Sequence, residues 1–126
     1  MDWEVEATDE FFAWADALEK ADPDARAMLD VVIDMLAEKG PLTRRPYVGE
    51  IVTSRFHNMK ELLIPAGSKE LRVLFCFDPR RTAILLLGGD KSEGSLWNAW
   101  YQTAVPEADR LYEIYLAELR QEGLLP

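Results

Sequence analysis

Cysteine and histidine are almost missing from this chain: of 126 residues, one is cysteine and one is histidine. A single cysteine excludes an intramolecular disulfide and fits a reducing compartment. Cys76 lies among Leu74, Phe75 and Phe77, which marks a small buried hydrophobe rather than a nucleophile. No apolar run approaches the roughly 18 residues of a membrane span, so no membrane partner is expected. No basic leader precedes an apolar stretch either, and the expected location is cytoplasmic. There is no internal repeat and no low-complexity tract. Residues 1–126 read as one domain, large enough for one real core.

Positive charge is also in deficit, with a net charge of −9. That balance argues against a nucleic-acid partner at first sight. The distribution qualifies it. Residues 1–40 carry −9, residues 41–91 carry +4 and residues 92–126 carry −4. A basic middle between acidic flanks can still hold a phosphate chain, with weaker long-range attraction. The acidic flanks also serve solubility, whatever the middle binds.

What is present is a regular pattern of elements. Trp3-Glu4-Val5-Glu6 alternates as a short strand does. Thr8 and Asp9 suit the cap of a helix whose apolar positions are Phe11, Trp14, Ala15 and Leu18. Asp22-Pro23 restarts the chain as cap and first helical residue. Ala25, Met28, Leu29, Val32 and Leu36 give a second stripe, closed by Lys39-Gly40. Pro41 to Pro46 reads as a loop. Strands are predicted over Arg55–Ile64, Lys69–Asp78 and Thr82–Gly88, with a short piece over Tyr47–Val52. Thr82-Ala83-Ile84-Leu85-Leu86-Leu87 has no alternation and predicts a strand covered on both faces. A final helical region begins near Leu96, breaks before Pro106 and resumes with Ala108, Leu111, Tyr112, Tyr115 and Leu119. The order predicts an α+β domain: an antiparallel or mixed sheet, an N-terminal helical hairpin on one face, and a C-terminal helix, with the helices placed on one side.

Three apolar runs each carry a cation: Lys60 in His57-Asn58-Met59-Lys60-Glu61-Leu62, Arg72 in Leu71-Arg72-Val73-Leu74-Phe75, and Lys91 after Leu87-Gly88-Gly89-Asp90. Pro65-Ala66-Gly67 suits a three-residue hairpin loop. That loop pairs Ile64 with Ser68 and sets Lys60 opposite Arg72 on one face. Like charges across a strand pair are unfavourable unless a phosphate joins them. A four-residue loop pairs Arg72 with Glu61 instead, as an ordinary salt bridge. His57 is a candidate proton-transfer group. Trp97, Trp100 and Tyr101 follow the Lys91 loop, where aromatics beside cations suit base stacking. Trp100 is expected to pack inward, with Trp97 or Tyr101 facing the site.

With Asp78-Pro79-Arg80-Arg81 and Ile84 to Lys91, these segments resemble the RelE/HigB-type toxins of bacterial type II toxin–antitoxin modules, on the phage-derived HigB-like branch. The likeness runs from Trp3 to about Leu119. It implies a microbial-ribonuclease-like fold whose helical hairpin covers one sheet face and whose active site occupies the other. It implies an endoribonuclease that cleaves mRNA, usually on the ribosome, with no metal and no cofactor. The ribose 2′-OH would attack the adjacent phosphate. By position, Lys60 and Arg72 would hold that phosphate and Lys91 would assist the leaving oxygen. Trp97 stands where some members have a functional tyrosine, and indole cannot transfer a proton. Tyr101 or His57 would then supply that role. Arg55, Asn58, Arg81 and Trp97 complete the candidate RNA contacts. The implied partner is a cognate helix-turn-helix antitoxin, with operator DNA reached only through it. The alternative is a non-catalytic protein on the same scaffold, either a ParE-like topoisomerase inhibitor or a prophage-derived antitoxin binder.

Overall fold

Thr8 and Asp22 start the two helices that the apolar periodicity predicts. Thr8 Oγ1 accepts from Phe11 N at 3.0 Å and donates to Leu86 O at 2.6 Å, so one hydroxyl both caps a helix and ties it to the sheet. Asp22 Oδ1 accepts from Ala25 N at 3.1 Å, with Pro23 at the first helical position. In this computed structural model, which describes residues 2–92 and 99–125, the elements run as follows. Strand β1 (Glu4–Ala7) leads to helices α1 (Asp9–Ala21) and α2 (Pro23–Lys39) and a short 3-10 turn (Gly40–Leu42). Strands β2 (Val48–Glu50), β3 (Met59–Ala66), β4 (Lys69–Phe77) and β5 (Thr82–Asp90) follow, and α3 (Ala99–Gln121) ends the series. The sheet order is β1-β5-β4-β3-β2, with β1 parallel to β5 and the other pairs antiparallel.

The lack of alternation in β5 has the predicted cause. Ala83 and Leu85 enter a core shared with Phe11, Ala15, Leu29 and Val32 of α1 and α2. Ile84 and Leu86 enter a second core with Ala104, Val105, Ala108 and Tyr112 of α3. The helices therefore do not lie on one side, as the element order suggested. The hairpin α1–α2 covers one face and α3 packs on the other. Cys76 is fully buried in the α3-side core, and burial pushes its thiol far up.

The β3–β4 hairpin corrects the predicted register. Ala66 pairs with Lys69, and Gly67-Ser68 is a two-residue loop with Gly67 at φ 65°. Such a loop needs glycine at a left-handed first position. Ile64 pairs with Leu71 rather than Ser68, Lys60 with Phe75, and Arg72 with Leu63. Lys60 and Arg72 thus point to opposite faces of the sheet. Pro65 belongs to the strand and not to the turn. Leu63 N donates to Tyr47 O across the β2 side, so the nitrogen of Pro65 faces the same side, beyond the last β2 pair at Val48–Leu62. No donor is needed there.

A second irregularity sets the far end of β5. Leu74 pairs with Leu87 but Phe75 pairs with Leu85, leaving Leu86 as a bulge. Beyond it, Gly88 lies opposite Val73 and Gly89 opposite Arg72. A β-carbon on Gly88 would fall 2.2 Å from the Trp14 ring, and one on Gly89 2.3 Å from Trp100 Nε1. The two glycines admit one indole on each face.

Other boundaries shift for local reasons. The predicted strand over Arg55–Ile64 begins only at Met59, because the preceding segment is drawn to α3: Ser54 Oγ donates to Asp109 Oδ1 at 2.5 Å and Arg55 N to Asp109 Oδ2 at 3.2 Å. Helix α3 runs through Pro106 without the predicted break. Pro106 and Gln102 are both exposed, so the Gln102 carbonyl that loses its donor faces solvent. The predicted start near Leu96 falls outside the described residues.

Candidate active-site cleft

The face of β3 and β4 that carries Glu61 and Arg72 looks toward the start of α3. Between them opens a cleft of about 550 Å³, lined by Glu50 to Thr53, Glu61, Lys91 and the α3 residues Tyr101, Gln102, Val105 and Pro106. Glu61 is the centre of the polar contacts. Its side chain is buried, yet Tyr101 donates its hydroxyl to Oε1 at 2.6 Å, and Arg72 Nε lies 3.5 Å from the same oxygen. Arg72 Nη1 donates to the Leu71 carbonyl at 2.9 Å, whereas its Nε is buried with no hydrogen bond. Burial together with the Glu61 carboxylate drives the Tyr101 phenol well above its usual range. Tyr101 is therefore a protonated donor at neutral pH and not a base. Lys91 joins from the end of β5, its Nζ 5.9 Å from the centre of the Tyr101 ring, while its backbone N donates to Glu70 O at 3.0 Å.

Of the five catalytic candidates read from the sequence, Arg72, Lys91 and Tyr101 meet here. Lys60 does not. It lies on the α1–α2 face, where its Nζ bonds Glu50 Oε1 at 2.8 Å and holds that carboxylate below its ordinary range. Arg72 and Glu61 form the ion pair of the four-residue-loop alternative, although a two-residue loop brings them together, diagonally across the ladder. His57 is exposed in the turn before β3 and does not line the cleft.

The remaining candidates are engaged elsewhere. Arg55 pairs with Glu113 of α3 and stacks over Phe56 at 5.3 Å. Asn58 donates to Phe77 O at 2.7 Å, pinning the start of β3 to the end of β4. Arg81, at φ 67° in the β4–β5 turn, lies over the Trp3 ring at 4.6 Å, at the far end of the sheet. Trp97 lies outside the described residues. Trp100 packs against Gly89, as expected of an inward indole.

Sequence reasoning missed the central role of Glu61. A signal was available: Lys60-Glu61 interrupts an apolar strand, and period-two alternation sends the two charges to opposite faces. Two adjacent charges therefore serve two different cavities.

A family model described as "Phage derived protein Gp49-like (DUF891)" matches residues 16–113. The chain is 50% identical over 94 residues to a protein of Mycobacterium tuberculosis (strain ATCC 25618 / H37Rv) named "Putative toxin HigB3", covering 75% of this chain and 79% of that one. It is 36% identical over 107 residues to "Putative toxin HigB2" of the same strain, covering 84% of this chain and 51% of the relative, so it spans about half the length of that protein. No solved structure matches.

Proposed function

The chain belongs to the phage-derived Gp49-like family and is HigB-like in sequence, and from that premise we propose that it is the toxin of a type II toxin–antitoxin module that cleaves mRNA on the ribosome. The observation that carries this reading is the line Tyr101–Glu61–Arg72, with Lys91 at the cleft wall. It offers what transesterification at phosphorus needs: a base, an acid and nearby positive charge, without a metal.

The roles follow from the contacts. The ribose 2′-OH attacks the adjacent phosphorus and passes its proton to the Glu61 carboxylate. A bond forms from O2′ to phosphorus, and the bond from phosphorus to O5′ breaks. Lys91 gives a proton to the departing O5′, leaving a 2′,3′-cyclic phosphate and a 5′-hydroxyl. Tyr101 holds Glu61 by its hydroxyl and, as a protonated phenol, takes no proton in the cycle. Arg72 sits behind Glu61 as its positioning cation and offsets the charge that grows on the phosphorane.

A second reading rests on charge. The cleft is lined by two carboxylates, Glu50 and Glu61, against one cation, Lys91. A surface of that sign suits a protein that binds its antitoxin and cleaves nothing.

Induced expression in a bacterial host separates the two. We expect growth arrest, relief by co-expression of a small helix-turn-helix protein encoded next to this gene, and new mRNA 5′ ends bearing hydroxyls. Unaltered growth with unaltered mRNA ends, in cells that accumulate folded protein, would decide for the second reading.

A further inference from the structure

Glu61 uses one of its two carboxylate oxygens in the line Tyr101–Glu61–Arg72, since both contacts fall on Oε1. Among the described residues, Oε2 accepts no hydrogen bond. It is not sealed off either. Arg72 Nε is the one fully enclosed side-chain nitrogen or oxygen without a hydrogen bond among the described residues. Oε2 therefore still reaches solvent, and it is the oxygen left open to take a proton from a ribose hydroxyl.

What stands beside Oε2 follows from the register of β2. Gly49 lies opposite Glu61 in the ladder, so both positions point to the cleft face. The place of a β-carbon on Gly49 is 3.5 Å from Glu61 Oε2 and 3.3 Å from Arg45 Nη2. Carboxylate and guanidinium thus lie side by side over Gly49, which is buried. A tight turn sets Arg45 there: the Arg44 carbonyl accepts from Tyr47 N at 3.0 Å and from Val48 N at 3.2 Å. Among the described residues, the head of Arg45 closes no ion pair and no hydrogen bond. Lys60, by contrast, serves a smaller cavity of about 240 Å³ on the opposite face, where Glu50 already binds it. Arg45 also borders that cavity, but the Gly49 contact sets its guanidinium on the Glu61 side.

We propose that Arg45 is a further catalytic residue, whose guanidinium grips the phosphate while Glu61 Oε2 takes the proton of the adjacent 2′-OH. This role rests on the proposed RNA cleavage. The space between the two heads is wider than an ion pair, so a substrate group fits between base and cation. A 2′-OH and the phosphorus it attacks are neighbours, so a hydroxyl at Oε2 brings the phosphate oxygens toward Arg45. Arg45 transfers no proton. Its fork donates to the non-bridging oxygens, whose charge grows as the bond from O2′ to phosphorus forms. Arg72 acts from behind Glu61, with a side chain only 14% exposed. Arg45 is exposed and reaches the phosphate directly, adding at the rim a cation to a lining that holds only Lys91.

The test is single-turnover cleavage of an mRNA on programmed ribosomes, with natural RNA and with each diastereomer of one phosphorothioate at the cleaved bond. Arg45→Ala should slow cleavage of the natural RNA by roughly tenfold to a hundredfold. Arg45→Lys should recover part of that loss, because charge returns without the fork. Sulfur accepts a hydrogen bond poorly, so the diastereomer that turns sulfur toward Arg45 is slowed in the wild type. That penalty should shrink in Arg45→Ala, whereas a residue that serves only the fold would leave both sulfur penalties as they are. Arg45 is exposed in a turn, and circular dichroism checks that the variants are folded. A wild-type rate in folded Arg45→Ala, or a slower rate with both penalties unaltered, would overturn the assignment and leave RNA cleavage standing. A wild type that cleaves no RNA would overturn the proposed function, and the role of Arg45 with it.

Discussion

Arg72→Ala is expected to lower RNA cleavage by roughly 10²-fold or more, the scale on which a charge-stabilising group acts on a transition state. The variant leaves Glu61 buried against Tyr101 with its cation removed. Arg72→Lys should restore part of the rate, because a cation is again within reach of Glu61. Leaving that carboxylate buried without its cation should also cost stability, so cleavage is compared on protein that denaturant unfolding shows to be folded. Cleavage that is unchanged in Arg72→Ala would remove the line Tyr101–Glu61–Arg72 from the mechanism.

Asp78→Ala should have the largest effect on stability, about 3 kcal/mol, measured by urea denaturation. The Asp78 side chain is fully buried at the β4–β5 turn. Its Oδ1 accepts from Arg80 N at 2.8 Å and Thr82 N at 3.0 Å. Its Oδ2 accepts from Tyr115 at 2.6 Å and lies 3.3 Å from Arg80 Nε. Alanine strands two backbone donors at once, whereas the Tyr115 hydroxyl keeps an acceptor in Glu6 Oε2 at 3.0 Å. Arg80 is a quarter exposed, so water recovers part of its loss and the figure stays at the low end for buried pairs. Asp78→Asn keeps an acceptor for the two backbone donors and should cost clearly less. Equal losses in the two variants would mean that charge, not the turn's hydrogen bonds, is what Asp78 supplies.

The helices were legible because their signals are local. Thr8, Asp22-Pro23 and the apolar stripes state where α1 and α2 start and which side they bury, and these residues do that in the fold. The double coverage of β5 was legible from its unbroken apolar run. Which face each cation takes was not, because it depends on register. Pro65 reads as a turn residue on its own, and only the end of β2 at Val48 makes it acceptable inside β3. Moving the turn from Pro65-Ala66-Gly67 to Gly67-Ser68 moved Arg72 off the face of Lys60. The Leu86 bulge is equally invisible in sequence, and it decides that Gly89 and its indole stand beside Arg72. The expected cluster of Lys60, Arg72 and Lys91 was thus divided between two cavities. Arg72 and Lys91 come together with Tyr101 around Glu61, a carboxylate that the sequence alone marks only as a salt-bridge partner.

The most direct test of the proposed chemistry is the fate of the ribose hydroxyl. Purified protein, with programmed ribosomes present, is given an mRNA of natural sugars and the same mRNA carrying a single 2′-deoxynucleotide on the 5′ side of the cleaved bond. The natural RNA should yield a 2′,3′-cyclic phosphate and a 5′-hydroxyl, and the substituted one should survive at that bond alone. Cleavage that persists at the deoxy position, or products with 5′-phosphates, would contradict the account.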